Sequence, residues 1–297
     1  MSDVGAAVVK VGTFTPSVII AACRELGYFN EIEVIEIPVA SSPAQFKSLA
    51  SNELDLAVTS PDNCIAYRFL KKNPLDELFD VRIHSAIDRG LGLSLARFEL
   101  SERVQEEFVF GVDVPSSGFA YVGYALLKRE GIESYQIKSF GSTPKRLRAL
   151  LEGQCDFTML NAGNEIKGAD GGARIIASVN ELGPYLGTVT ATIGQPSVAV
   201  VKVIEAMART IDQICSGELK AQIVEISQRV LELSAIQALK HYNVMADPVN
   251  GLVSGKKVDR ASLDNLIALR REFSPTDELN EIPAKYRELV PSVFATN

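Results

Sequence analysis

The sequence predicts an α/β protein of two similar lobes, each a mostly parallel sheet flanked by helices, with a ligand cleft between them. Three observations point there. Strand-like and helix-like segments alternate through the first third of the chain, the pattern of a parallel sheet covered by helices. A hydroxyl followed by proline recurs where helices begin, at Thr15-Pro16, Ser42-Pro43, Ser60-Pro61 and Thr143-Pro144. The chain also repeats itself: a shift of 101 residues lays Ser42-Pro43 on Thr143-Pro144, Leu49 on Leu150, Asp55 on Asp156 and Asn63 on Asn164.

The elements follow in order. Val8 to Gly12 reads as a strand, Ser17 to Phe29 as a helix, and Glu33 to Ile37 as a second strand of period two. Pro43 to Ala50 is a second helix, Leu54 to Val58 a third strand, and Asn63 to Leu70 a third helix. A hydroxyl at an N-cap accepts free backbone N–H groups, and proline just after it has no N–H to lose. Ser42-Pro43-Ala44-Gln45 also has capping-box spacing. As caps alone these residues are structural. Lying after successive strands of one sheet, the first three also converge on the edge where ligands bind.

In the second unit Phe108 to Val114 matches the first strand, Gly153 to Met159 parallels Asn52 to Val58, and Gly131 matches Gly27 three places out of register. Val81 to Ile87 and Leu91 to Ala96 are strands at the first crossing between lobes, and Gly187 to Thr192 is the return strand. Ser197 to Tyr242 is one long helical stretch, broken at Asp247 to Gly251. Asp259 to Phe273 and Glu281 to Phe294 are helical and are expected to latch the first lobe. The second unit runs from about Ser101 to Tyr185, so residues 1–88 and 189–297 form lobe 1 and residues 89–188 lobe 2.

Composition narrows the function. Of 297 residues, 46% are apolar and 23% charged, enough to bury two cores. The net charge of −7 and the absence of a basic run argue against nucleic acid as a partner. No run of apolar residues is long enough for membrane insertion. Met1-Ser2-Asp3 has an acid where a secretory leader has Lys or Arg, and Lys10 breaks the apolar stretch that follows. The chain as written is therefore expected in the cytoplasm, or in the periplasm if a leader has been removed. Cys23, Cys64, Cys155 and Cys215 lack CxxC spacing and are expected as unpaired thiols. No metal or cofactor is expected.

At this point the residues resemble a known family. The chain is similar to type II periplasmic binding proteins, in the branch of alkanesulfonate, taurine and nitrate solute-binding proteins and thiamine-pyrimidine-precursor proteins. The resemblance lies in Val9 to Gly12, Glu25 to Phe29, Asn52 to Ala57, Gly111-Val112-Asp113 with Ser116 to Ala120, and Leu150 to Asp156 ahead of Asn161. It covers residues 8 to 195 well and the helical tail in general plan. It implies a small-molecule ligand between the lobes and an ABC-type permease as partner. Matched residue by residue, the ligand-binding loops hold Thr13 and Phe14, Ser41 and Ser42, Thr59, Ser60, Asp62 and Asn63 in the first lobe. In the second they hold Ser116, Ser117, Gly118 and Phe119, then Asn161 and Asn164.

The chemistry of those residues agrees. Helix N-termini attract small anions, and hydroxyls and amides add directional bonds. Phe14, Phe119 and Tyr121 are candidates to stack on a planar ligand, or else are core. Asp62, if it faces the cleft, favours an amine or ring N–H. Arg82 and Arg89 are either anion clamps or solvated surface residues. A small organic anion or heteroaromatic acid is the expected ligand. The alternative is a cytoplasmic lyase, hydrolase or decarboxylase on the same cleft, with Cys64, Asp62, His84 or Arg89 as its actors. His84 and His241 are not spaced as a metal pair, and no GxSxG or P-loop is present.

Overall fold

A computed structural model describes residues 7–98 and 107–292. Met1-Ser2-Asp3, Ser101 and Phe294 lie outside the described residues. The strands are β1 (Ala7–Thr13), β2 (Ile32–Pro38), β3 (Leu56–Thr59), β4 (Val81–Asp88), β5 (Ser94–Arg97), β6 (Phe108–Val112), β7 (Tyr135–Ser139), β8 (Phe157–Leu160), β9 (Arg174–Ser178) and β10 (Thr188–Ile193). The helices are α1 (Val18–Glu25), α2 (Ser42–Ala50), α3 (Pro61–Phe69), α4 (Gly118–Arg129), α5 (Thr143–Leu151), α6 (Asn164–Asp170), α7 (Val198–Cys215), α8 (Lys220–Val230), α9 (Ala235–Met245), α10 (Arg260–Phe273) and α11 (Tyr286–Leu289).

Two separate five-stranded sheets result, ordered β2-β1-β3-β10-β4 and β7-β6-β8-β5-β9. In the first, β1 runs parallel to β2 and β3, while β10 is antiparallel to β3 and β4. In the second, β6 runs parallel to β7 and β8, while β5 is antiparallel to β8 and β9. The chain crosses between sheets from β4 to β5 and returns from β9 to β10, so each sheet takes its fourth strand from a crossing.

The repeat seen in the sequence has a physical basis. Asp55 accepts the Lys10 backbone N–H at 2.7 Å, and the Asp55 N–H donates to the Lys10 carbonyl at 2.9 Å. Asp156 accepts the Val109 N–H at 2.7 Å and returns its own N–H to the Val109 carbonyl at 2.9 Å. Each aspartate thus ties the approach to the third strand onto the first strand of its unit. Gly27 and Gly131 follow the ends of α1 and α4 at φ +69° and +75°, the left-handed conformation that stops a helix there.

Two of the four helix caps fall one residue from expectation, and a third falls two. Ser60 caps α3 as expected, its Oγ accepting the Asp62 N–H. Elsewhere the cap is Ser17 rather than Thr15, Ser41 rather than Ser42, and Ser142 rather than Thr143. Pro43 and Pro144 sit one place further into their helices, which the free N–H positions of a first turn still allow. Gln45 closes no capping box; its amide donates to the Gly12 and Val58 carbonyls. The first helix stops at Glu25, before Phe29.

One face of the first sheet, with Val9, Val11 and Leu56, packs against α1, α7, α8 and α9. The other, with Ala57, Ile83 and Ala191, packs on α2 and α3 in a core that continues into α4 and α10. The predicted long helix is three helices, α7 to α9, interrupted by Gly217 at φ +86° and Glu232 at φ +53°. The tail does not latch the first lobe alone. Helix α10 lies between α3 and α4, and α9 packs on α6. Beyond α10 comes a 3-10 turn at Asp277–Asn280, and the helix predicted from Glu281 is a second 3-10 turn and the single turn α11. All four cysteines are free, and burial pushes Cys23, Cys64 and Cys155 up.

Candidate functional site

A cavity of about 140 Å³ lies between the two sheets. Its wall begins with four helix N-termini: Ser17 and Val18 of α1, Ser60 of α3, Ser117 and Gly118 of α4, and Ser142 and Thr143 of α5. Ser17, Ser60 and Ser117 each accept a backbone N–H through Oγ. Each hydroxyl keeps its own proton to donate, so the cap and the dipole act in the same direction on an anion. Glu36 shapes the first loop from behind: its Oε1 takes the Thr13 hydroxyl at 2.7 Å and the Ser17 N–H at 2.8 Å. Burial pushes Glu36 up, and these two bonds oppose the shift.

The cation of the cavity is Arg146. It is 3% exposed and donates to the Gly141 carbonyl at 2.7 Å, the Thr143 hydroxyl at 3.0 Å and the Met159 carbonyl at 3.1 Å. Among the described residues no carboxylate lies within ion-pair distance of it. Burial lowers its pKa while Asp113 opposes that shift, and a guanidinium stays charged in either case. Asp88 also lines the wall. Burial raises it to about 6, opposed by Thr188 and by the Gly90 N–H, which donates at 2.7 Å.

Of the residues expected to bind ligand, nine meet at this cavity: Thr13, Phe14, Thr59, Ser60, Asn63, Ser117, Gly118, Phe119 and Asn161. Thr13 arrives with its hydroxyl already given to Glu36. Ser41, Ser42, Asp62, Ser116 and Asn164 do not line it. Ser41 and Asn164 serve their own helix starts, Ser41 accepting the Ala44 N–H and Asn164 donating to the Asn161 carbonyl. Ser42 is buried beside Tyr67.

Asp62 is buried behind the wall in a two-pronged ion pair with Arg270 of α10, at 2.9 and 2.6 Å. Arg270 also donates to the Ser116 carbonyl at 3.3 Å and the Tyr121 hydroxyl at 3.4 Å, and its guanidinium lies over the Tyr121 ring. Burial pulls the Arg270 pKa down, but Asp62 and its neighbours outweigh that and raise it. The approach is close: a Cβ on Gly118 would sit 2.7 Å from Asp62 Cβ. Glycine is therefore required there by the contact between α3 and α4.

The four residues nominated for catalysis do not meet. None of Cys64, Asp62, His84 and Arg89 lines the cavity. Cys64 is fully buried, and burial and then Asp62 push its thiol far above the usual range, the reverse of activation. His84 bonds Thr192 at 2.8 Å, and burial holds it at about 4. Arg89 pairs with Asp259 and Arg82 with Asp80, so neither is the clamp. Among the described residues no group of three or more His, Cys, Asp or Glu is placed to hold a metal, and no helix is long and apolar enough to cross a membrane.

Sequence reading missed Arg146, although the repeat pointed at it: Arg146 stands 101 residues after Gln45, and the two reach for the Met159 and Val58 carbonyls, which are related by the same shift. It also missed Leu231, His241 and Met245, which α8 and α9 bring to the cavity from far along the chain. The crossing contributes strain. Leu91 and Ala162 line the cavity with φ +46° and +53°, and the Ala162 N–H donates to the Leu91 carbonyl at 2.9 Å.

This two-lobed architecture, with its cavity between sheets, is the type II periplasmic-binding-protein fold. The periplasmic nitrate-binding protein NrtA from Synechocystis PCC 6803 superposes with a TM-score of 0.73 at 11% identity, over 97% of this chain and 86% of that one. The alkanesulfonate-binding protein SsuA from Xanthomonas axonopodis pv. citri, bound to MOPS, gives 0.71 at 12% identity, over 94% and 97%. A zinc-bound ligand-binding component of an ABC-type import system from Staphylococcus aureus gives 0.69 at 12%, over 90% and 91%. No protein-family model and no curated relative matches the chain.

Proposed function

We propose that the chain is a solute-binding protein that holds a small organic anion or heteroaromatic acid between its lobes and delivers it to an ABC-type permease. Arg146 carries this reading: a buried cation, fixed by neutral acceptors, in a cavity ringed by helix N-termini. The solved structures that share the fold include binders of alkanesulfonate and nitrate, which are anions. The proposal takes residues 1–88 with 189–297 as one moving body and 89–188 as the other, hinged through the β4–β5 and β9–β10 crossings. Such a receptor works on the outer side of the inner membrane.

Thermal-shift and calorimetric titration with small sulfonates, carboxylates and pyrimidines tests it, followed by mass spectrometry of the recovered ligand. The expected result is micromolar or tighter binding of an acid, recovery of that acid unchanged, and its loss in Arg146→Gln. Conversion of the ligand to a product, or tight binding that ignores Arg146→Gln, would overturn it.

A further inference from the structure

Asp113 and His241 both line the cavity, and each carries a buried side-chain atom, Oδ1 and Nδ1, with no hydrogen-bond partner among the described residues. His241 is 2% exposed and enters from α9, with its Nδ1 edge toward Gly163. Asp113 follows β6 in the lobe that carries Arg146. Native interiors leave few polar atoms unpaired, because each forfeits its bonds to water. Two such atoms on residues of one cavity wall are bonding positions that a ligand in the cleft would complete. A carboxylate oxygen can only accept. Burial pulls the His241 pKa down to about 4, so near neutral pH the ring offers one accepting nitrogen and one N–H.

We propose that the ligand is a monocyclic acid that also carries a hydrogen-bond donor (a hydroxyl, an amino group or a ring N–H), read by Asp113 and His241 while Arg146 holds the acid. The inference rests on the acid-binding reading of the cleft and adds the second group. Size limits the class: about 140 Å³ is close to the space that takes one benzene-sized ring. Phe14 from one lobe and Phe119 from the other supply the apolar wall for such a ring.

The test is calorimetric titration of the full chain with benzoate, benzenesulfonate, and the monohydroxy and monoamino isomers of each. A site built to bond a donor rejects the analogue that lacks it, so at least one isomer binds at least about tenfold tighter than its parent. His241→Phe and Asp113→Asn each shrink that ratio, while Arg146→Gln weakens parents and isomers alike. Equal binding of parents and isomers by the unaltered chain, or a ratio that survives both variants, overturns the inference while the acid reading stands. No binding of any probe, or no effect of Arg146→Gln, overturns the acid reading and the inference with it. Nitrogen NMR of the His241 ring in the unaltered chain covers the case of a variant that fails to fold. The Nδ1 resonance shifts with the tighter isomer and not with its parent; no shift with the tighter isomer contradicts the proposal.

Discussion

At position 45 the first unit carries glutamine, and 101 residues on the second carries arginine. Both side chains leave the first turn of equivalent helices and donate to equivalent strand carbonyls, Val58 and Met159. The neutral amide closes its site within the first sheet. The guanidinium does the same and has charge to spare, so the lobe with arginine supplies the anion grip. Two further pairs diverge along the same alignment. Asp62 faces Gly163, Cys64 faces Glu165, and the tail helices respond: Arg270 covers Asp62, and His241 packs at Gly163. A duplicated plan therefore fixes backbone geometry, and single side chains at matched positions divide the labour.

Breaking the Asp62–Arg270 pair should cost most, because it exists in one unit alone and leaves a buried cation. Asp62→Ala is expected to lower unfolding free energy by about 3–5 kcal/mol in urea titration. A loss under about 1 kcal/mol would mean that α10 is held by apolar contacts alone. Arg146→Gln makes the second unit resemble the first. It should weaken acid binding about 100-fold by calorimetry while the urea midpoint moves little, since glutamine can keep the carbonyl contacts.

The Cys64–Glu165 contrast is sharpened by pH. Burial raises Glu165 to about 8, opposed by the backbone N–H groups of Glu165 and Gly163. The folded state then holds this proton where the unfolded chain has released it, so its contribution to stability falls as pH rises from the ordinary carboxyl range through 8. The loss between about pH 5 and about pH 7 is roughly 2–3 kcal/mol. Glu165→Gln should remove that slope, measured as the difference between urea midpoints of variant and parent across pH. The smallest effect tests the likeness rather than the contrast: Asp55→Ala and Asp156→Ala should each cost about 1 kcal/mol, by the lost bond to a backbone N–H. Costs differing by more than about 2 kcal/mol would break the equivalence.

Much of this was legible in the sequence because it is local. Alternating periodicity located the strands of the first unit, and the shift found β6, β8 and the aspartates that fasten them, while β7 and β9 went unnamed. Two cap positions slipped by one because serine next to serine or threonine offers two hydroxyls, and backbone geometry chooses between them. Nine loop residues of the cavity could be named from the family resemblance, and the delivery of parallel strand ends to one edge agrees with them. Asp62 misled because a carboxylate near a cleft edge reads the same whether it faces ligand or an arginine 208 residues away. His241 and Met245 had no local signal, since their place depends on how α9 docks against α6.

The central claim is that an acid sits between the sheets on Arg146. A crystal structure of the chain with benzenesulfonate tests it most directly. The expected result is sulfonate oxygens within hydrogen-bond reach of the Arg146 guanidinium, with the ring between Phe14 and Phe119. A probe bound outside the cleft, or inside it with its acid turned away from Arg146, would contradict the account.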